Sequence, residues 1–228
     1  MSAIALLLAA GSGERLGLGV PKAVAPLGGR PLLAWSLAAL ALAKSVRGVV
    51  LVGDARALGP ALARVSAAER AVIVAQVPGG PTRQASCALG LAAVSPAAEV
   101  VVVHDAARPF AEPALFDAVV LAAEEHGAAL AAEPLLDTLK RVEDGRVVET
   151  IERAGLWRAQ TPQAARHALL MEAHARAQED GVLATDDVAL VERLGYAVRV
   201  VPASPLNRKI TTREDLAWAE AWLKAAER

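Results

Sequence analysis

Val100-Val101-Val102-Val103-His104-Asp105-Ala106-Ala107-Arg108-Pro109-Phe110 is a run of four valines leading straight into a charged turn. β-Branched residues favour strands, and a strand without polar alternation has to be covered on both faces. Such a strand belongs in the middle of a mostly parallel sheet. Ligands of open sheets of this kind bind beyond the carboxyl ends of the strands. The turn that starts at His104 is therefore a candidate site.

Outward from this strand, short apolar runs alternate with longer amphipathic stretches, the pattern of an α/β domain with helices on both faces of its sheet. Strands are expected at Ala3–Leu8, Gly48–Val52, Ala71–Ala75, Glu99–Val103, Ala128–Ala132 and Ala197–Val201. Helices are expected at Pro31–Ala43, Ala55–Val65, Thr82–Ala93, Pro113–His126, Arg166–Glu179, Asp186–Arg193 and Thr212–Ala226. Pro31 and Pro113 suit first-turn positions, and Thr212 with Asp215 resembles a capping box. One stretch departs from the alternation: Asp144-Gly145 separates two β-prone runs within Asp137–Thr150, a strong hairpin signal. An isolated hairpin is marginal in water, so this arm, about residues 134–157, is expected to pack on a second copy and make a homodimer.

The 228 residues suit one domain spanning 1–228. The net charge of -1 gives no global field for nucleic acid or an anionic membrane. A single cysteine, Cys87, rules out a disulfide within the chain, makes a structural zinc site improbable and reads as a small core residue. The apolar run Ile4–Ala10 is too short to span a bilayer and lacks a basic lead, so a cytoplasmic location is expected.

Four constellations carry chemistry. Ala10-Gly11-Ser12-Gly13 follows the first strand, where a glycine turn exposes backbone N–H groups to phosphate. Arg15 and Lys22 add a cation at each end of that loop, which suits a triphosphate held from both sides. Leu16 stands where a dinucleotide fingerprint needs its third glycine, and no GK[ST] closes a Walker loop. The second is the turn already quoted: Asp105 is placed to hold Mg²⁺ against phosphate oxygens, with Ala106 beside it. Arg108 would orient Asp105 or reach phosphate, unless it merely stitches the loop, and His104 reads as a packed, satisfied histidine. The third is Gly79-Gly80-Pro81-Thr82-Arg83-Gln84-Ala85-Ser86, where Gly80 and Ser86 could read a base edge; a plain Thr82-capped helix start competes with this. The fourth is dispersed: Asp137, Thr138, Arg153, Thr161 and Lys209, each of which would pass for an ordinary surface residue by itself.

Taken in order, LAAGSGERLG with Pro21-Lys22, HDAARPF, LDTLKR, IERAGLWRAQTPQ, Thr185–Asp187 and NRKITTREDL resemble the 2-C-methyl-D-erythritol 4-phosphate cytidylyltransferases from Leu8 to Leu216. The resemblance implies a single Rossmann-like, three-layer domain with a mostly parallel sheet and a protruding β-arm that makes a homodimer. It implies CTP, a sugar-alcohol phosphate and Mg²⁺ as ligands. Arg15 and Lys22 would stabilise the transition state, and Arg153 and Lys209 would position the acceptor phosphate. Thr138, beside Asp137, would reach across the dimer with Arg153. Gly80, Ser86, Asp105 and Arg108 would line the cytidine and metal site, with Thr161 nearby. Pro81 departs from the family, which usually has an acidic or polar residue there, and Leu16 replaces a common Met.

The chemistry fits these residues. A phosphate monoester has a second pKa of about 6 and is largely dianionic at neutral pH, so it attacks without a general base. What it needs is fixed positive charge around the α-phosphorus. A ribitol 5-phosphate cytidylyltransferase shares the glycine loop and a similar HDA segment and is the nearest rival. A non-catalytic nucleotide sensor would not need both Arg15 and Lys22.

Overall fold

The computed structural model describes residues 3–226. In chain order the strands are β1 (Ala3–Leu8), β2 (Pro26–Leu27), β3 (Arg30–Pro31), β4 (Val46–Val52), β5 (Ile73–Val77), β6 (Val100–Asp105), β7 (Ala128–Pro134), β8 (Leu139–Glu143), β9 (Arg146–Ile151), β10 (Trp157–Arg166) and β11 (Arg199–Pro202). The helices are α1 (Leu32–Leu42), α2 (Ala55–Leu62), α3 (Ala67–Arg70), α4 (Arg83–Ala92), α5 (Pro113–His126), α6 (His167–Glu179), α7 (Val188–Arg193) and α8 (Arg213–Ala226). Seven strands form the main sheet in the order β11-β7-β10-β6-β1-β4-β5. All its pairings are parallel except those of β10, which runs antiparallel to both β6 and β7.

The four valines of β6 do what their pattern requires. Val100 and Val102 join one core layer with Leu33, Leu37 and Leu40 of α1 and Phe116, Val119 and Val120 of α5. Val101 and Val103 join the opposite layer with Cys87 and Leu91 of α4, Leu170 of α6 and Leu190 of α7. Fully burying one such side chain is worth about 1.5–3 kcal/mol, so β6 is pinned on both faces and its polar end is fixed in space. A third, smaller cluster packs Leu16 and Ile210 with Leu27, Leu32 and Ala219.

All six expected strands and seven expected helices form; Ala3–Leu8 and Pro113–His126 keep their expected bounds and the others shift at their ends. Ser66 and Glu69 make a capping box that starts α3 and delays β5 by two residues relative to the expected Ala71. Helix α7 begins at Val188 because Asp186 spends its carboxylate on the Ala189 N–H, 3.0 Å away. Asp215 accepts from the Thr211 and Thr212 N–H groups at 2.9 and 3.0 Å, and Thr212 accepts back from the Asp215 N–H at 3.3 Å. Sequence reading misses the short pair β2–β3, helix α3 and, in the main sheet, β10. Pro162 at its centre argues against a strand, because proline cannot donate to a ladder. The structure puts the cis Thr161–Pro162 bond where the β7 ladder shifts register, so no ladder donor is lost there.

The hairpin β8–β9 turns at Asp144 (φ 49°) and Gly145 (φ 76°), the left-handed pair of a tight two-residue turn. It is a separate two-stranded sheet, exposed along nearly its whole length. Val142, Val147 and Val148 are each more than half exposed, at 55%, 61% and 52%.

Candidate active site

The cradle is built where β1 and β6 end side by side, Leu8 being in register with Asp105. The Ala9 N–H donates to Val52 O at 2.8 Å and the Ala106 N–H to Leu8 O at 3.0 Å, locking the starts of both turns to the sheet. The glycine loop then closes on itself, with the Lys22 N–H donating to Gly11 O at 3.1 Å. Gly13 (φ 78°) makes this possible, since a Cβ there would lie 2.7 Å from Val20 O and 2.9 Å from Lys22 N. The site cations are placed by apolar neighbours in the chain. Arg15 precedes the fully buried Leu16, Lys22 precedes the buried Ala23, and Lys209 precedes the fully buried Ile210. The backbone is anchored by the apolar side chain while the charged residue lines the cavity.

That cavity holds about 480 Å³ and is lined by Ala10, Gly11, Ser12, Arg15, Lys22, Gly80, Pro81, Ser86, Asp105, Ala106 and Lys209 among others. The glycine loop, the turn at Gly80 and Ser86, the proposed metal carboxylate and three of the four proposed catalytic cations thus meet in one place. Asp105 accepts from Arg83 Nε at 3.1 Å and from Lys209 Nζ at 2.8 Å. Burial would push its carboxyl up, but Arg83 and Lys209 outweigh that and hold it well below the usual carboxylate range. Burial, then the charges of Lys209 and Arg15, lower the Lys22 ammonium to about 8. Clustered cations of this kind are costly alone and become favourable once polyphosphate arrives between them.

Strand β10 braces the cradle from behind, and each of its polar side chains ties down a different loop. Thr161 Oγ1 accepts the Asp105 N–H at 3.0 Å. Gln160 Oε1 accepts from Asn207 Nδ2 at 2.7 Å, two residues before Lys209. Gln163 Oε1 accepts the Asp187 N–H at 3.1 Å. The Gln160-Thr161-Pro162-Gln163 segment therefore acts as a splice joining the turns at 105, 187 and 207. The signal was in the sequence as three buried-capable polar residues around a proline, but only the fold shows what they hold.

Several expected site residues stand elsewhere. Arg108 does not pair with Asp105; its Nη1 donates to Asn207 O at 2.8 Å, and it does not line the cavity. It ties the turn after Asp105 to the loop at Asn207, and the Asp105–Arg108 pair expected to stitch its own loop does not form. Arg83 takes the place beside Asp105, and Thr82 caps α4 as the plain helix-start reading expects. Thr161 is buried beneath the cavity and acts on the Asp105 backbone. Gly13 shapes the loop from below without lining the cavity. His104 is packed and satisfied, facing Thr161 Oγ1 at 3.1 Å and Arg108 O at 3.3 Å, and burial lowers it to about 4. Ser86 Oγ is turned to its own loop, taking the Gly80 N–H at 3.0 Å and donating to Thr82 O at 2.9 Å. Thr138 and Arg153 both line a hollow of about 260 Å³ at the base of the arm, which shares no lining residue with the main cavity. Asp137 lies exposed beside them.

A glycine loop, a strand-end carboxylate and converging cations at the carboxyl edge of a parallel sheet define a nucleotidyltransferase. The chain matches the 2-C-methyl-D-erythritol 4-phosphate cytidylyltransferase family over residues 3–225, and it belongs to that family. A relative of that name from Parasynechococcus marenigrum is 45% identical over 96% of this chain and 96% of its own. One from Pelotomaculum thermopropionicum is 43% identical over 98% of this chain and 94% of its own. The crystal structure of the Thermus thermophilus cytidylyltransferase superposes with a TM-score of 0.82 at 37% identity, covering 98% of this chain and all of that one. Among the described residues, no helix is long and apolar enough to cross a membrane.

Proposed function

We propose that this chain transfers the cytidylyl group of CTP to 2-C-methyl-D-erythritol 4-phosphate, releasing pyrophosphate, within isoprenoid precursor synthesis. The observation that carries it is the convergence of Arg15, Lys22 and Lys209 with Asp105 on the cavity at the ends of β1 and β6. The acceptor phosphate oxygen attacks the α-phosphorus and the bond to the bridging oxygen of pyrophosphate breaks. The dianionic nucleophile carries no proton that must be removed. Lys22 and Arg15 stabilise charge gathering on the α-phosphoryl and bridging oxygens, and Lys209 holds the incoming phosphate. The glycine loop cradles the phosphates, and the turn at Gly80 and Ser86 flanks the base. Pro81 leaves cytosine no polar side chain at that position, so backbone groups of the turn carry the discrimination.

The donor set fits Mg²⁺, which takes one or two carboxylates and completes its shell with phosphate oxygens and water. Asp105 supplies a carboxylate at the cavity that Arg83 and Lys209 hold below the usual range. Bound there, the ion would neutralise triphosphate charge.

Arg153 and Thr138 serve the acceptor in this reading, with Asp137 beside them, although their hollow is separate from the cradle of the same chain. The exposed valines of the arm support a two-fold dimer in which the arm of one subunit reaches the cradle of the other. The whole chain, 1–228, then works as one domain carrying the arm at 134–157. The reading is tested by pyrophosphate release with CTP and each acceptor. Methylerythritol phosphate should turn over far faster than ribitol 5-phosphate, and CTP faster than UTP or ATP. Preference for ribitol 5-phosphate would overturn it.

A further inference from the structure

Arg83 stands between two buried carboxylates. Its Nε reaches Asp105 Oδ1 at 3.1 Å, and its Nη1 reaches Asp187 Oδ2 at 2.6 Å. Asp187 does not line the cavity; it is 1% exposed, just before α7, with its backbone held by Gln163. Its other oxygen faces His174 Nε2 at 3.4 Å, and neither atom makes a hydrogen bond elsewhere. Cys87 completes the surroundings, its sulfur within 4.8 Å of both. Cysteine, histidine and aspartate so close together have the chemistry of a metal site, but the Arg83 guanidinium already supplies the positive charge there. Burial would raise the Asp187 carboxyl, yet His174 and Arg83 outweigh burial and hold it low, so it is an anion at neutral pH.

The charge count around Asp105 gives Asp187 its meaning. Asp105 and Asp187 are balanced by Arg83 and Lys209. Lys209 is the more exposed cation, at 36% against 27% for Arg83, and among the described residues has a single carboxylate partner. When it turns to the acceptor phosphate, the remaining trio carries one net negative charge. Without the charge of Asp187, Arg83 would neutralise Asp105 completely.

We propose that Asp187 is a positioning residue that draws Arg83 from behind, fixing the Asp105 carboxylate and leaving it the negative charge a divalent cation requires. This rests on the reading of Asp105 as the Mg²⁺ carboxylate. Groups one step behind a metal ligand typically change metal affinity about 10–100-fold when altered.

The test compares CTP affinity with Mn²⁺ and with EDTA by calorimetry, in the absence of acceptor, and takes the ratio as the metal-dependent gain. Asp187→Asn, nearly identical in shape, should lose about tenfold or more of that gain while metal-free CTP binding stays within about threefold. Asp187→Glu should restore most of it. Cys87→Ala perturbs the same packing without changing charge and should lower the melting temperature while leaving the gain intact. Loss of the gain in Asp105→Asn but not in Asp187→Asn would overturn the role of Asp187 alone. Retention of the gain in Asp105→Asn would sink the metal reading itself. Should Asp187→Asn not fold, Arg83→Lys carries the test, because one amine cannot bridge two carboxylates as the planar fork does. An unchanged gain in that variant would overturn the proposal.

Discussion

The cradle and the arm are opposite solutions to the same problem of presenting positive charge. In the cradle each cation is followed by a buried apolar residue, and the loops are tied to one another through Thr161, Gln160 and Gln163. In the arm, Arg153 and Thr138 sit beside a hairpin exposed along nearly its whole length. The cradle is preorganised by its own fold, whereas the arm stands exposed and, in the proposed dimer, would find its surface on the partner. Transition-state stabilisation demands groups that do not reorganise during reaction, so the cradle is the place for it. Holding the acceptor, the role proposed for the arm, would tolerate a contact completed by assembly.

The largest effect expected from that contrast is at Lys22. Removing one preorganised donor costs roughly 3–4 kcal/mol, a factor of order 10²–10³ in rate. Lys22→Ala should therefore lose that much kcat in steady-state assays with little change in CTP affinity. Comparable losses in kcat and in CTP affinity would make Lys22 a ground-state binder and erase the contrast.

Arg153→Ala should act differently, raising KM for the acceptor by about tenfold or more through loss of one charged hydrogen-bonding group. Mixing sharpens this into a test of the arm. Inactive Lys22→Ala and impaired Arg153→Ala subunits, unfolded and refolded together, should regain roughly a quarter of wild-type activity at low acceptor concentration. Random pairing makes about half the dimers mixed, and each of those has one intact site out of two. No recovery in a mixture shown to form mixed dimers would place cradle and arm residues of one site in one chain.

The next effect is in pH. Lys22 must be protonated to act, and in the free protein it titrates near 8, below its ordinary 10.5, because of burial and then Lys209 and Arg15. The plot of kcat/KM for CTP against pH should fall above that value with a slope of one proton, and Lys22→Arg should remove the limb. For stability the sign is opposite. Between pH 8 and 10.5 the unfolded chain still holds the proton that the folded chain has released, so this group makes folding more favourable as pH rises there.

Periodicity and turn chemistry were enough to read the sheet, the helices and the hairpin, because β6 is apolar on both faces and Asp144-Gly145 leaves little choice of turn. Arg15, Lys22, Asp105 and Lys209 were legible because each falls in a motif at the end of an element. Arg83, Asp187 and β10 were not. A buried arginine between two distant aspartates has no local signature, and a strand with proline at its centre contradicts the rule used to find strands. The family resemblance puts Arg108 among the residues lining the cytidine and metal site. The turn after Asp105 sends it toward Asn207 instead.

Thr161→Val should change activity least. The swap keeps shape but removes the oxygen that accepts the Asp105 N–H and faces His104 Nδ1. Leaving a buried donor unpaired costs about 1–3 kcal/mol, so the melting temperature should drop while KM for the acceptor stays within about threefold. Thr161 stands beneath the cavity, and its route to the chemistry is through the Asp105 backbone, which the valines of β6 hold in place on both faces even when that hydrogen bond is gone. A large rise in acceptor KM without loss of stability would instead make Thr161 a direct substrate contact, and would mean that the cradle opens further than its packing implies.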